Sequence, residues 1–212
     1  MKYLLFFLLP FLSLGQNSNA TWQRLIKKFN QVKSYEVKAT IKPQIASIRT
    51  LPVKATVQFN YPSTFKMKSA GISILPKNGF SELPLLFSHP NQFTAISSGI
   101  DQGTEVLTLL PTDNEADIVL AKIWVDTKDY VVTKSQITSR TNGTVTCEFE
   151  YAEERNLGLP SRMKFQIDIK KFKIPKGVAT DINRTSRPEE TGKNSSKGSI
   201  DIELRDYRIQ RN

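Results

Sequence analysis

The pair Asn142-Gly143 constrains this chain more than any other feature. Asn-Gly between two β-rich runs is the strongest short hairpin signal a sequence carries, because both turn residues must accept a positive φ. The flanking runs fit that reading. Residues 130–137 read Tyr-Val-Val-Thr-Lys-Ser-Gln-Ile, and residues 144–151 read Thr-Val-Thr-Cys-Glu-Phe-Glu-Tyr. An earlier run, 118–125, reaches the first of these through a polar turn at 126–129. The stretch 118–151 is therefore predicted to be an antiparallel meander. Its last run alternates strictly, with Val145, Cys147, Phe149 and Tyr151 on one face and Thr144, Thr146, Glu148 and Glu150 on the other. A sheet with one apolar face must cover that face.

The rest of the chain adds strands of the same kind. Tyr35, Val37, Ala39 and Ile41 alternate up to Pro43, and Val53, Ala55, Val57, Phe59 and Tyr61 up to Pro62. Phe65 and Met67 form a shorter set. Residues 104–111 make another strand, and 162–169 place Met163, Phe165, Ile167 and Ile169 on one side. A final run from 199 to 204 continues towards Tyr207 and Ile209. Proline or a polar turn ends each run, as a meander requires. The prediction is a mainly β fold with few helices: a curved antiparallel sheet, open or partly closed, with a helix and a lid loop over its concave face.

Two segments can cover the sheet. Over 21–33, Trp22, Leu25, Ile26, Phe29 and Val32 recur at helical spacing, with Thr21 or Ala20 at the N-terminal boundary. That apolar stripe reads as core packing. Residues 71–94 are rich in proline and glycine yet apolar, and within them 81–87 are predicted to form a short helix with Pro84 in its first turn. A long apolar loop must lie on something. It reads either as a permanent cap or as a movable lid. Residues 99–103 then form a turn.

The chain opens with Met1-Lys2, an apolar run over 3–14, and small residues at Ser13 and Gly15. This predicts a secretory signal peptide over 1–15, too short to span a bilayer comfortably, followed by a spacer over 16–20. Residues 21–212 are read as a single domain, with 183–198 as a polar, mobile loop inside it. No cysteine follows the cleavage point, so the chain is not itself expected to be a lipoprotein. Cys147 is the lone cysteine and reads as a small buried hydrophobe. Asn-x-Ser/Thr sequons at Asn19, Asn142, Asn183 and Asn194 would matter only in a eukaryotic secretory pathway. The formal net charge of +10 favours contact with acidic lipid surfaces, acidic proteins or nucleic acid, but it is spread along the chain and reads first as solubility.

Chemistry-bearing motifs are missing. There is no Gly-rich phosphate loop, no nucleophile elbow and no cysteine or histidine spacing for a metal. His89, the one histidine, has no patterned company and reads as a surface or packing residue. Asp126 and Asp129 sit in a turn, and Glu148 and Glu150 on a wet strand face, where carboxylates are solvated rather than paired for acid–base work. Basic residues are not interleaved with aromatics, which argues against a nucleic-acid partner. The prediction is a binding protein, not an enzyme, with no cofactor and no metal.

Several pieces resemble the LolA-like family of outer-membrane lipoprotein carriers, above all its branch of outer-membrane lipoprotein-sorting proteins. A helix opening Trp22-Gln-Arg-Leu-Ile precedes the β meander. Residues 103–111, Gly-Thr-Glu-Val-Leu-Thr-Leu-Leu-Pro, resemble the strand ending in Leu-x-Pro. Residues 121–126, Ala-Lys-Ile-Trp-Val-Asp, with Tyr130 and Lys134, resemble the Trp-Val-Asp hairpin. Residues 159–165, Leu-Pro-Ser-Arg-Met-Lys-Phe, with the last strand to Tyr207, resemble the closing strands. The resemblance spans most of the chain after the signal peptide. It implies a half-barrel around an apolar cavity for acyl chains. It also implies a periplasmic carrier of lipoproteins or other lipids, working between an inner-membrane exporter and an outer-membrane receptor; the chain itself is read as a monomer. The family's cavity arginine has no motif match here; Arg24 and Arg49 are the candidates. Taken from the alternating faces, the expected lipid-binding wall is Val57, Phe59, Phe65, Met67, Phe149, Met163 and Phe165, with Leu83, Leu86 and Phe87 in the lid. The alternative is a periplasmic interaction or envelope-stress sensor module of the same fold with a solid core.

Overall fold

A computed structural model describes residues 19–44, 51–62, 64–69, 82–141, 143–168 and 197–212. The predicted signal peptide, the first residues of the spacer, residues 71–81 of the apolar loop, most of the polar loop 183–198 and the candidate Arg49 lie outside those residues. So do Asn142, Asn183 and Asn194.

Among the described residues, ten strands form one sheet. They are β1 (Val32–Gln44), β2 (Val53–Asn60), β3 (Thr64–Ser69), β4 (Phe93–Asp101), β5 (Thr104–Pro111), β6 (Ile118–Asp126), β7 (Val131–Ser139), β8 (Gly143–Glu150), β9 (Arg162–Asp168) and β10 (Lys197–Arg211). Their order across the sheet is β3-β2-β1-β10-β9-β8-β7-β6-β5-β4, every neighbouring pair is antiparallel, and the two ends do not meet. The first and last strands lie side by side, from Val32 opposite Arg211 to Gln44 opposite Ser199. A terminal strand paired inside the sheet ties down the C-terminus.

Alternation places the core. Ile41, Val57, Leu107, Leu109, Ile123, Phe165, Ile200 and Ile202 all point to the concave side and are almost fully buried. Each such side chain stabilises the fold by about 1.5–3 kcal/mol. Two helices cover them, α1 (Ala20–Phe29) and α2 (Glu82–Ser88), through Trp22, Leu25, Ile26, Leu86 and Phe87.

Among the described residues the predicted elements are present, with local differences: β4 runs on to Asp101, so the turn expected over 99–103 is confined to Gln102 and Gly103. The helix ends at Phe29 rather than at 33. Asn30 and Gln31 turn the chain, their N–H groups donating to the carbonyls of Ile26 and Lys28, and β-branched Val32 starts β1. Val32 then packs with Leu157 and Leu159 in a second, smaller cluster. The cap is Asn19, whose side chain accepts the Trp22 N–H at 3.1 Å, while the Thr21 hydroxyl donates to Glu105 at 2.6 Å. In the β7–β8 hairpin Ser139 pairs with Gly143, so three residues separate the paired positions. Gly143, at φ +70°, is the left-handed closing residue of that loop rather than the second residue of a two-residue turn. The short helix around Pro84 is present as α2. Strand β4 is the element that alternation did not reveal: only Ala95 of its nine residues is buried, so it carries no apolar face.

Candidate functional site

The concave face is not packed evenly. Between α2, the end of α1 and strands β1–β3 and β7–β10 lies an apolar cavity of about 80 Å³. Six of the residues expected in a lipid-binding wall line it: Phe59, Phe65, Leu83, Phe87, Phe149 and Met163. Leu83 and Phe87, one helical turn apart, form the roof. The other four expected residues are elsewhere. Val57, Leu86 and Phe165 are buried in the solid core, and Met67 is half-buried against it. Phe29, Tyr35, Ser135, Tyr151, Leu159, Leu204 and Tyr207 also line it, with Pro84, Gly158 and Pro160, and were not among the expected wall residues. Strand parity is the signal that could have found Tyr35 and Tyr151, both of which belong to inward-facing sets.

Rings hold this end of the molecule together. Centroids are 5.0 Å apart for Phe59 and Phe65, 5.2 Å for Tyr35 and Phe59, and 5.7 Å for Phe29 and Phe59. Phe87 of α2 lies 5.4 Å from Phe29 and 5.5 Å from Trp22. Each such pair adds roughly 0.5–1.5 kcal/mol beyond its buried area. An adjoining space of about 50 Å³ shares Phe29, Tyr35, Phe59, Leu83, Phe87 and Tyr151, and reaches Lys28 and Tyr130.

Charge is kept at the rim. Among the described residues, no charged side chain lines the larger cavity. Lys28 lines the smaller one, where burial lowers its pKa and its ammonium donates to the backbone carbonyls of Asp129 and Arg155. Arg155 in turn reaches Asp126 at 2.6 Å and Asp129 at 2.7 Å. Its hydrogen bond holds the Asp129 carboxyl below the usual range. The two turn aspartates are thus ion-paired rather than simply solvated. Arg24 lies over the Tyr130 ring at 4.7 Å and donates to its hydroxyl. It does not line the cavity, so the expectation of a cavity arginine at this position is not met.

Three phenols face the cavity. Tyr151 donates to the Val132 carbonyl and Tyr207 to the Pro160 carbonyl, each at 2.7 Å. Burial pushes the Tyr35, Tyr151 and Tyr207 phenols far above their ordinary value, and for Tyr207 the neighbouring phenols add to the effect. All three are neutral at any physiological pH. Leu159, Leu204 and Tyr207 also border a polar cleft of about 570 Å³ walled by Glu150, Glu153, Glu154, Arg162, Glu203 and Arg205.

Other candidates carry little chemistry. His89 closes α2, with Nδ1 3.0 Å from the Ser88 hydroxyl. Cys147 is buried, which pushes its thiol up and makes it unreactive. Among the described residues there is no cluster of His, Cys, Asp and Glu suited to a metal, and no helix long and apolar enough to cross a membrane.

No protein-family model and no curated protein matches the sequence. Solved structures match in shape. A domain from Vibrio parahaemolyticus described as outer membrane lipoprotein-sorting is 9% identical with a TM-score of 0.52, covering 89% of this chain and 91% of that one. A LolA superfamily protein from Nitrosomonas europaea is 10% identical with a TM-score of 0.51, covering 91% and 94%. A DUF1329 family protein from Desulfovibrio piger is 8% identical with a TM-score of 0.53, covering 90% and 92%. At these identities the likeness is one of fold. The open ten-stranded sheet with two helices on its concave side is therefore a LolA-like half-barrel, the fold of outer membrane lipoprotein-sorting domains.

Proposed function

We propose that this protein is a periplasmic carrier that shelters the acyl chains of lipoproteins, or of other lipids, on their way to the outer membrane. The observation that carries this reading is the ring-lined cavity, uncharged among the described residues, that Leu83 and Phe87 of α2 roof with apolar side chains. Over residues 83–88 the side-chain hydrogen bonds stay within α2 and its neighbour His89. Such a roof can lift without breaking a polar network. Lifting is needed, because the cavity is smaller than the ~150 Å³ engineered cavity that holds benzene. Each methylene that enters gains about 0.8 kcal/mol, so a single acyl chain holds cargo reversibly and a receptor with a better site can take it. The cargo's hydrated part has room in the polar cleft beyond Tyr207. In this reading residues 21–212 are one binding domain without catalytic activity, exported by the 1–15 signal peptide and loaded and unloaded by an inner-membrane exporter and an outer-membrane receptor.

Native mass spectrometry of gently purified protein, with uptake of a fluorescent fatty acid, tests the proposal. Bound lipid or saturable uptake supports it. Empty protein with no uptake overturns it. The small cavity volume favours a second reading, an interaction or sensor module with a nearly solid core. Its signature is a stable protein partner in crosslinking pulldowns and no lipid.

A further inference from the structure

Two hydroxyls line the larger cavity without a hydrogen-bond partner among the described residues. Ser135 is 2% exposed. It lies on the inward side of β7, opposite Ile123 of β6 and Cys147 of β8. Tyr35 lies on the inward side of β1, opposite Phe59 of β2, with its ring against Phe59 and Tyr207. The other two phenols of the cavity are satisfied by backbone carbonyls. Neither oxygen is sealed in the packing, since the one fully buried side-chain oxygen without a partner among the described residues is Asn30 Oδ1, so both hydroxyls open onto the cavity and can bond what fills it. Two unpartnered hydroxyls in one cavity are accounted for if the occupant supplies the acceptors.

The lining limits what that occupant can be. With no charged side chain among its described lining residues, an ionised carboxylate or phosphate would be buried there without a counter-charge, which outweighs any hydrogen bond from a hydroxyl. A bare hydrocarbon leaves both donors unmade. We propose that the cavity takes an acyl chain as its uncharged ester or amide, with the carbonyl inside and the Ser135 and Tyr35 hydroxyls donating to the acyl oxygens. This rests on the carrier reading and narrows it, since it places the head of the chain inside the cavity as well as the tail. Burial keeps the Tyr35 phenol protonated, so it remains a donor throughout the working pH range.

Displacement of Nile red from the purified full chain by three probes tests the inference: methyl laurate, laurate, and the unsubstituted hydrocarbon of the same length. Methyl laurate should bind wild-type protein about fivefold or more tighter than the hydrocarbon, since one net hydrogen bond is worth about that factor. Laurate should be the weakest near neutral pH and improve as acid protonates it. Ser135→Ala and Tyr35→Phe should each weaken methyl laurate by about fivefold and leave the hydrocarbon within about twofold. Tyr35→Phe removes no hydrogen bond among the described residues, so it keeps the test valid if Ser135→Ala folds poorly. Equal losses for ester and hydrocarbon, no loss for either, or laurate anion binding as tightly as the ester would overturn the inference while leaving the carrier reading in place. Wild-type protein that takes up none of the three probes would remove both.

Discussion

The two helices lie on the same concave face and are held in different ways. Helix α1 is clamped at both ends. At its start, Thr21 and Asn19 donate to the Glu105 carboxylate of β5, at 2.6 and 3.3 Å. At its end, Lys28 caps the carbonyls of Asp129 and Arg155, and Arg24 grips Tyr130. Helix α2 has Leu86 and Phe87 buried and ring contacts from Phe87 to Trp22 and Phe29, and over residues 83–88 its side-chain hydrogen bonds are local. Polar networks have demanding geometry and resist partial opening. Apolar contacts are non-directional and can be exchanged for those of a ligand. One helix is therefore part of the scaffold, and the other is suited to move.

The contrast can be broken in several places. Trp22→Ala removes the ring that joins α1 to Phe87 and should lower stability by about 3–5 kcal/mol, read from urea unfolding. Leu83→Trp on α2 should cost about 1–3 kcal/mol through overpacking, leave the fold cooperative, and abolish uptake of a fluorescent fatty acid because the new ring fills the cavity. Unchanged uptake in that variant would place the lipid elsewhere.

Loosening the clamp should have a smaller effect. Hydrogen bonds from Thr21, Ser97 and Asn19 hold the Glu105 carboxyl below its usual range. A lowered carboxylate contributes stability that is present above its unfolded value of about 4.3 and lost as pH falls through the folded one. Thr21→Ala should cost about 1 kcal/mol near neutral pH and less in acid. Glu105→Gln should flatten the acid limb of a stability–pH curve; an unaltered limb would show that Glu105 does not clamp the helix. The smallest effects separate the phenols. Tyr151→Phe and Tyr207→Phe each leave a carbonyl without its partner and should cost about 1 kcal/mol, while Tyr35→Phe should cost nothing in thermal unfolding.

Much of the half-barrel was legible because its strands are one-sided. A period of two in Val145, Cys147, Phe149 and Tyr151, or in Tyr35, Val37, Ala39 and Ile41, states both the strand and its inner face. Parity does not say which inward residue meets a space and which meets another side chain. Val57 and Phe59 share one face of β2, yet Val57 is core and Phe59 is cavity wall. That choice is made by the helices above, which have no register with the strands. Ser135 was hidden for another reason. A register shift between β6 and β7 near Val125 lets both Val131 and Val132 be buried, so the alternation that marks Ser135 as inward is broken at its start. Strand β4 was hidden because an exposed edge strand needs no apolar period.

Hydrogen exchange across both helices, with and without methyl laurate, tests the central claim most directly, because it reads local opening rather than global stability. The account predicts that in free protein the amides of α2 exchange faster than those of α1, and that lipid protects α2 while leaving α1 unchanged. Equal protection of the two helices, unaffected by lipid, would contradict it.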